Sequence, residues 1–356
     1  LKDVRKKAEQ YFKSGGKWKR NFSQSDREQR SAVIQEARSL KKDAERMHKA
    51  IVEDILFSTR VIATTLVGAN HPKLKDIHFT TCFIDEAGQA LEPATWIPII
   101  KSNKVVFAGD HLQLPPTVKS FKAGEGGLKN TLFEKAITEN KVHVLLNEQY
   151  RMHEKITAFS SNQFYKGMLR SNEKNAHQKI FPNDSVLEYI DTAGTGFFEA
   201  QHPETKSSYN YEEALLVFKH LKNYLDKIGD SGYDLPTSIG IISPYKSQIE
   251  LLNKLLDSSK IGADIKNIIT INTVDGFQGQ ERDVIYISLV RSNDSGEIGF
   301  LSDERRMNVA LTRAQRKLVV IGDSGTIAAK NKFYNSFLDY INDINAYKSA
   351  FDFIYD

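Results

Sequence analysis

Cys82-Phe83-Ile84-Asp85-Glu86-Ala87-Gly88-Gln89 and, a little further along, Val105-Val106-Phe107-Ala108-Gly109-Asp110-His111-Leu112-Gln113-Leu114-Pro115 are built alike. In each, a short apolar run stops abruptly at a polar turn containing glycine. Such runs read as strands buried on both faces, because a half-solvated strand would alternate apolar with polar residues. The same texture recurs at Val61-Ile62-Ala63, Val142 to Leu146, Ile239 to Ile242, Asp283 to Val290 and Leu318 to Ile321. Helix-like stretches lie between them, including Glu212 to Leu225, capped by Asn210 with Glu213, and Lys246 to Leu256. Strands alternating with helices predict an α/β fold with doubly wound parallel sheets. Gly124-Glu125-Gly126-Gly127 and the stretch Asp191 to Ser208 read as surface loops.

The first 57 residues differ. Val33, Ala37, Leu40, Ala44, Met47, Ile51 and Ile55 recur by threes and fours, which places them on one stripe of a long helix. Ser25 with Glu28 three residues on resembles a capping box at its start. Residues 1–50 hold 15 Lys and Arg against 7 Asp and Glu, whereas the remainder holds 34 against 38. The net charge of +4 therefore comes from a basic helical arm, suited either to phosphate backbones or simply to solvation.

At 356 residues the chain has room for two cores. No apolar run approaches the roughly 20 residues needed to cross a bilayer, and Leu1-Lys2-Asp3-Val4-Arg5 has no signal core. Cys82 is the only cysteine, so no internal disulfide forms. An intracellular location is the expectation, with no membrane partner.

In open α/β sheets ligands gather beyond the carboxyl ends of the strands, and those ends are rich in chemistry here. Asp85 is suited to hold Mg²⁺ and Glu86 to orient and deprotonate a water. Gln113 both donates and accepts, as a γ-phosphate sensor must. Arg151 and Arg313 read as following a strand and preceding a helix, as charge-neutralising fingers would. Tyr150 offers a face on which a base can stack, or packs between domains. Taken singly, each has an ordinary reading as a surface turn or surface charge.

Taken in order, they resemble a known family, the superfamily 1 helicases, in the branch of the nonsense-mediated-decay and immunoglobulin-mu-binding helicases. The resemblance is carried by Val61 to Thr65, Asp85 to Gln89, Gly109 to Pro116, Gln149 to His153, Ser243 to Gln248, Val274 to Asn293 and Arg305 to Ala314. It implies two RecA-like parallel-sheet domains of a P-loop NTPase core, closing on ATP and moving along one strand, typically 5′ to 3′. It implies Asp85 and Glu86 as the Mg²⁺ and catalytic-base pair and Gln113 as sensor. Tyr150 becomes the adenine-stacking residue, Arg151 and Arg313 the fingers, and Glu281 with Gln278 nucleotide-side groups. Thr64, Pro115, Tyr245 and Thr273 fall in motifs that face nucleic acid. The basic helices 1–57 correspond to an insertion in the first domain, residues 58–140 to the rest of that domain, and 141–356 to the second.

One part is missing. A phosphate loop needs Gly-x-x-x-x-Gly-Lys-Ser/Thr, and the single Gly-Lys pair, Gly16-Lys17, is followed by Trp18. The expectation is therefore an incomplete first domain, Leu1 lying downstream of the loop, and a chain with almost no ATPase activity alone. A loop supplied by a second polypeptide is one alternative, and a non-catalytic nucleic-acid-binding or scaffolding module another. Single-stranded DNA and RNA fit the residues equally, since backbone contacts and stacking tolerate both.

Overall fold

The computed structural model describes residues 1–16, 23–140, 143–259 and 261–354. By its internal contacts the chain divides into two compact units, one of residues 1–83 and 93–106, the other of 84–92 and 107–356.

In the first unit, helix α1 (Lys2–Gly15) packs on the longer α2 (Gln24–Ser58). Small residues make the contact: Ala8, Gly15, Ala37 and Ala44 are buried, and a Cβ on Gly15 would stand 2.9 Å from Ile34 Cγ1. The capping box lies two residues earlier than the sequence pattern indicates. Ser23 caps α2 through the Asp26 N–H, and the Asp26 carboxylate accepts from the Ser23 N–H in return. At about 1.5 Å per residue, the 35 residues of α2 span roughly 52 Å. Its far end leaves Met47, Ile51 and Ile55 exposed. Strands β1 (Phe79–Ile84) and β2 (Ser102–Phe107) pair with each other. Val61-Ile62-Ala63 is not a strand: it has no ladder partner among the described residues, and Val61 is exposed. Gly16 closes α1 in an ordinary helical conformation, while Lys17 and Trp18 lie outside the described residues.

The second unit opens with the short parallel pair β3 (Glu148–Gln149) and β4 (Arg170–Ser171). The run Val142 to Leu146 does not form the expected strand. Val142 is outside the described residues, and His143 to Leu146 have no ladder partner among the described residues, Val144 being 88 % exposed. The Gly124 to Gly127 stretch, expected as a loop, is a π-helical turn, with Gly127 at φ 93° where a side chain would be strained. The main sheet is built from β5 (Leu187–Asp191), β8 (Ile239–Ser243), β9 (Ile269–Thr273), β10 (Arg282–Ser288), β11 (Ala314–Gly322) and β12 (Tyr347–Ser349). Its order is β12-β5-β11-β10-β8-β9, and every neighbouring pair is parallel. Between β5 and β8 a small antiparallel pair, β6 (Ala200–Gln201) with β7 (Ser208–Tyr209), occupies the stretch expected as plain loop.

Alternation along β10 shows why both faces are buried. Ile285 and Ile287 join one core with Met307, Leu318 and Phe337, while Val284 and Tyr286 join a second with Leu221, Leu252 and Val319. The helix Tyr211–Asp230 covers the second face, capped as expected by Asn210 on the Glu213 N–H. Glu213 does not complete the box. Its carboxylate turns into the core, accepting from Ser288 Oγ at 2.6 Å and the Val290 N–H at 2.9 Å. Val290 itself stands at φ 72°, a strained setting for a β-branched residue. No helix among the described residues is long and apolar enough to cross a membrane.

Candidate nucleotide site

Within the second unit, two loops are pressed together by glycine. The Ala87 N–H donates to Ala108 O at 2.9 Å. A Cβ on Gly88 would lie 2.6 Å from Asp110 O, and one on Gly109 would lie 2.8 Å from Ala87 N. Only hydrogen at these positions lets the Asp85-Glu86 turn meet the Gly109 to Gln113 turn. Glu86 adopts φ 51°, ψ 37°, a left-handed conformation that costs an ordinary side chain on the order of 1 kcal/mol. The Asp85 carboxylate accepts from the Glu86 N–H at 2.9 Å, and Glu86 accepts from Gln89 Nε2 at 2.6 Å. Gln113 donates to Asp110 Oδ2 at 2.9 Å.

A second group forms around β3 and the start of β11. Gln149 organises the turn after β3: its carbonyl oxygen accepts from the N–H groups of Arg151 and Met152 at 2.7 and 2.8 Å. That turn aims Arg151 at Glu281, with which it is ion-paired, and at Thr312 O, 3.2 Å away. Arg313 differs from its expected setting, because it follows the helix Glu304–Leu311 and precedes β11. It is almost fully buried, and its guanidinium donates to Val309 O, Thr312 Oγ1 and Gln280 O. Burial, with the charge of Arg151 nearby, lowers its pKa to about 10, and the carboxylates of Glu281 and Glu86 act in the opposite direction. Glu281 is pushed up by burial, but the bond and charge of Arg151 more than offset this and hold it below the ordinary glutamate value. Tyr150 is exposed, its hydroxyl donating to Glu148 at 3.0 Å, so its ring face is open.

Thus Asp85, Glu86, Gln113, Arg151, Glu281 and Arg313 all belong to the second unit. Gln278 lies three residues before Glu281, and its Nε2 is buried without a hydrogen-bond partner among the described residues. A stranded donor fits a ligand rich in oxygen acceptors, such as a nucleotide. The carboxylate of Asp85 and the two guanidiniums fit a metal-phosphate group in the same way.

The residues expected to face nucleic acid are dispersed. Thr64 is exposed in the first unit. Pro115 and Thr273 are half-buried in the second, Thr273 Oγ1 accepting from the Gly276 N–H at 3.3 Å. Tyr245 is buried, with its hydroxyl on Ile298 O at 3.2 Å. It sits at the C-terminal end of β8, next to β10, where connections leave in opposite directions to β9 and to β11. Such switch points are where doubly wound sheets bind ligands. The exposed ring there is Phe300, 5.6 Å from Tyr245 and covered by Arg306 at 5.6 Å. Nothing in the sequence set Phe300 apart from an ordinary surface aromatic.

Two family models, each described as an AAA domain, match residues 1–121 and 128–325. The chain belongs to this family of AAA-domain superfamily 1 helicases. It is 35 % identical over 369 aligned positions to the DNA-binding protein SMUBP-2 of Mesocricetus auratus, covering 99 % of the chain and 36 % of that protein. To the DNA polymerase alpha-associated DNA helicase A of Saccharomyces cerevisiae it is 34 % identical, covering 96 % of the chain and 53 % of that protein. The ATP-dependent helicase NAM7 of the same yeast is 36 % identical across 80 % of the chain and 29 % of its own length. The chain thus spans between about a third and a half of these relatives. The six-stranded parallel sheet with helices on both faces is the α/β architecture of a RecA-like helicase domain.

Proposed function

We propose that this chain carries most of the ATP-hydrolysing core of a helicase or translocase acting on single-stranded DNA or RNA. Residues 58–140, with the arm 1–57, contribute to the first RecA-like domain and residues 141–356 form the second. The observation that carries this reading is the Asp85-Glu86 turn, strained at Glu86 and locked by Gly88 and Gly109 against the Gln113 turn. Backbone strain of this kind is kept where chemistry needs it. A scaffold has no use for it, which weighs against the non-catalytic alternative.

In this reading Mg²⁺ held through Asp85 would neutralise phosphate charge. Glu86 orients the attacking water and takes its proton, and Gln113 reports on the terminal phosphate. Tyr150 stacks on the base, while Gln278 and Glu281 serve the nucleotide side. Arg151 and Arg313 leave their present acceptors to meet charge developing on the transferring phosphoryl group, an effect worth roughly 10³–10⁵ in rate. Thr64, Pro115, Tyr245 and Thr273 line the strand side. The phosphate loop comes from a part of the motor outside these 356 residues, in the same polypeptide or another. The ATP-dependent helicase name of the yeast relative supports the reaction class.

The test is Glu86→Gln in the full-length protein. ATP binding should persist while nucleic-acid-stimulated hydrolysis falls by about a hundredfold or more, as for loss of a general base. Turnover that survives the change would remove Glu86 from the mechanism.

A further inference from the structure

Asp110 is the meeting point of two hydrogen bonds that join the sensor turn to Tyr165. Its Oδ2 accepts from Gln113 Nε2 at 2.9 Å and from the Tyr165 hydroxyl at 2.5 Å. Tyr165 lies just after the helix Glu154–Phe164 and is buried. The same tyrosine oxygen accepts from Asn308 Nδ2 at 3.1 Å, and that amide also donates to Leu112 O at 3.0 Å. Asn308 is fully buried inside the helix Glu304–Leu311, and Arg313 stands two residues beyond the end of that helix, after Thr312. Its backbone carbonyl accepts from Thr312 Oγ1 at 2.7 Å, and Thr312 Oγ1 in turn accepts from Arg313. Two runs of hydrogen bonds, joined through the covalent frame of Asn308, therefore connect the Gln113 amide to the Arg313 guanidinium.

We propose that Tyr165 is a positioning residue that transmits the state of Gln113 to Arg313 through Asp110 and Asn308. This rests on the reading of Gln113 and Arg313 as sensor and finger. When Gln113 turns its amide toward a phosphate oxygen, Asp110 loses one of its two side-chain donors. The Tyr165 hydroxyl then becomes its main partner and tightens on it, and the pull falls on Asn308. Burial and the adjacent Asp110 carboxylate raise the Tyr165 pKa, so the hydroxyl keeps its proton and always donates to Asp110. Asn308 is built for two arrangements, because its side-chain carbonyl oxygen is buried with no hydrogen-bond partner among the described residues. A buried acceptor left unmatched favours any shift of the helix that supplies a donor.

The test uses the full-length protein and three variants, Tyr165→Phe, Asn308→Ala and the pair. Tyr165→Phe keeps the buried ring and removes only the hydroxyl. It should lower kcat about tenfold with KM for ATP nearly unchanged, a loss greater than the modest fall in melting temperature from removing a buried hydrogen bond explains. The double variant should be no slower than the worse single one, since both cut the same path. Unchanged kcat in Tyr165→Phe, additive losses in the pair, or a kcat loss that only follows a fall in stability would each overturn the proposal. Absence of nucleic-acid-stimulated ATPase in the wild-type protein would instead sink the motor reading on which it rests.

Discussion

Glu213 lies fully buried against Ser288 and the strained Val290, and burial lifts its pKa to about 7. Its folded pKa thus exceeds the value near 4.5 that it has when solvated, so the native state holds a proton that the unfolded chain has released. Stability from this proton is complete below about pH 4.5 and is lost as pH rises through about 7. The thermal midpoint should therefore fall between pH 5 and pH 8, and Glu213→Gln should flatten that fall, by an amount on the order of 3 kcal/mol at the alkaline end. An equal pH dependence in the variant would assign the effect to other groups. Single residues also mark the limit of what the sequence discloses. Asp85, Arg151 and Glu281 stand out as candidates because each directly follows an apolar run or closes a polar turn after one. Tyr165 and Asn308 do not, since an isolated polar residue near or within a helix looks like solvated surface until its partner, 143 positions away, is known.

At the scale of elements, the Asp85-Glu86 turn works only if its neighbour can touch it. Gly88→Ala places a methyl 2.6 Å from the backbone oxygen of Asp110, which no side-chain motion can relieve. The two turns must part, at a cost of roughly 1–3 kcal/mol. Activity should drop by more than the loss of stability explains, because Glu86 and Gln113 move apart; a stable variant with full ATPase activity would show that their spacing is unimportant. Strands were unevenly readable for a related reason. β8, the Val284 to Ile287 part of β10 and the Leu318 to Ile321 part of β11 are continuous apolar runs and declare themselves. β5 reads Leu187-Glu188-Tyr189-Ile190-Asp191, and two acids in five residues disguise an inner, buried strand. Glu188 is tolerable there only because His220 and Lys317 reach it; burial alone would raise its pKa, yet their bonds and charge hold it at about 2. The opposite error, a strand expected at Val142 to Leu146, arises because an apolar run names a strand only when something pairs with it.

For the whole molecule, the two units contrast in how completely they bury apolar surface. The second exposes Val144, Leu146 and Phe198 on its surface but keeps both faces of its sheet covered, whereas the smaller first unit exposes Phe57, Val61, Phe83 and Ile100, together with Met47, Ile51 and Ile55 on α2. Apolar surface of that extent is characteristic of an interface or of aggregation. The purified 356-residue chain should self-associate as concentration rises in sedimentation velocity, and should hydrolyse almost no ATP. The full-length protein should do neither; a monomeric, fully active chain would show that the exposed surface and the absent phosphate loop are of no consequence. The strand order has a bearing on manufacture as well. β5 waits between β11 and β12, and the bond from Tyr347 to Asp191 joins positions 156 residues apart. A ribosome adding about 5–20 residues per second leaves β5 without either neighbour for on the order of ten seconds or more. During that interval an inner strand of the future sheet has both edges open, so a chaperone that shields nascent strands should matter more to the yield of this protein than to its stability once finished.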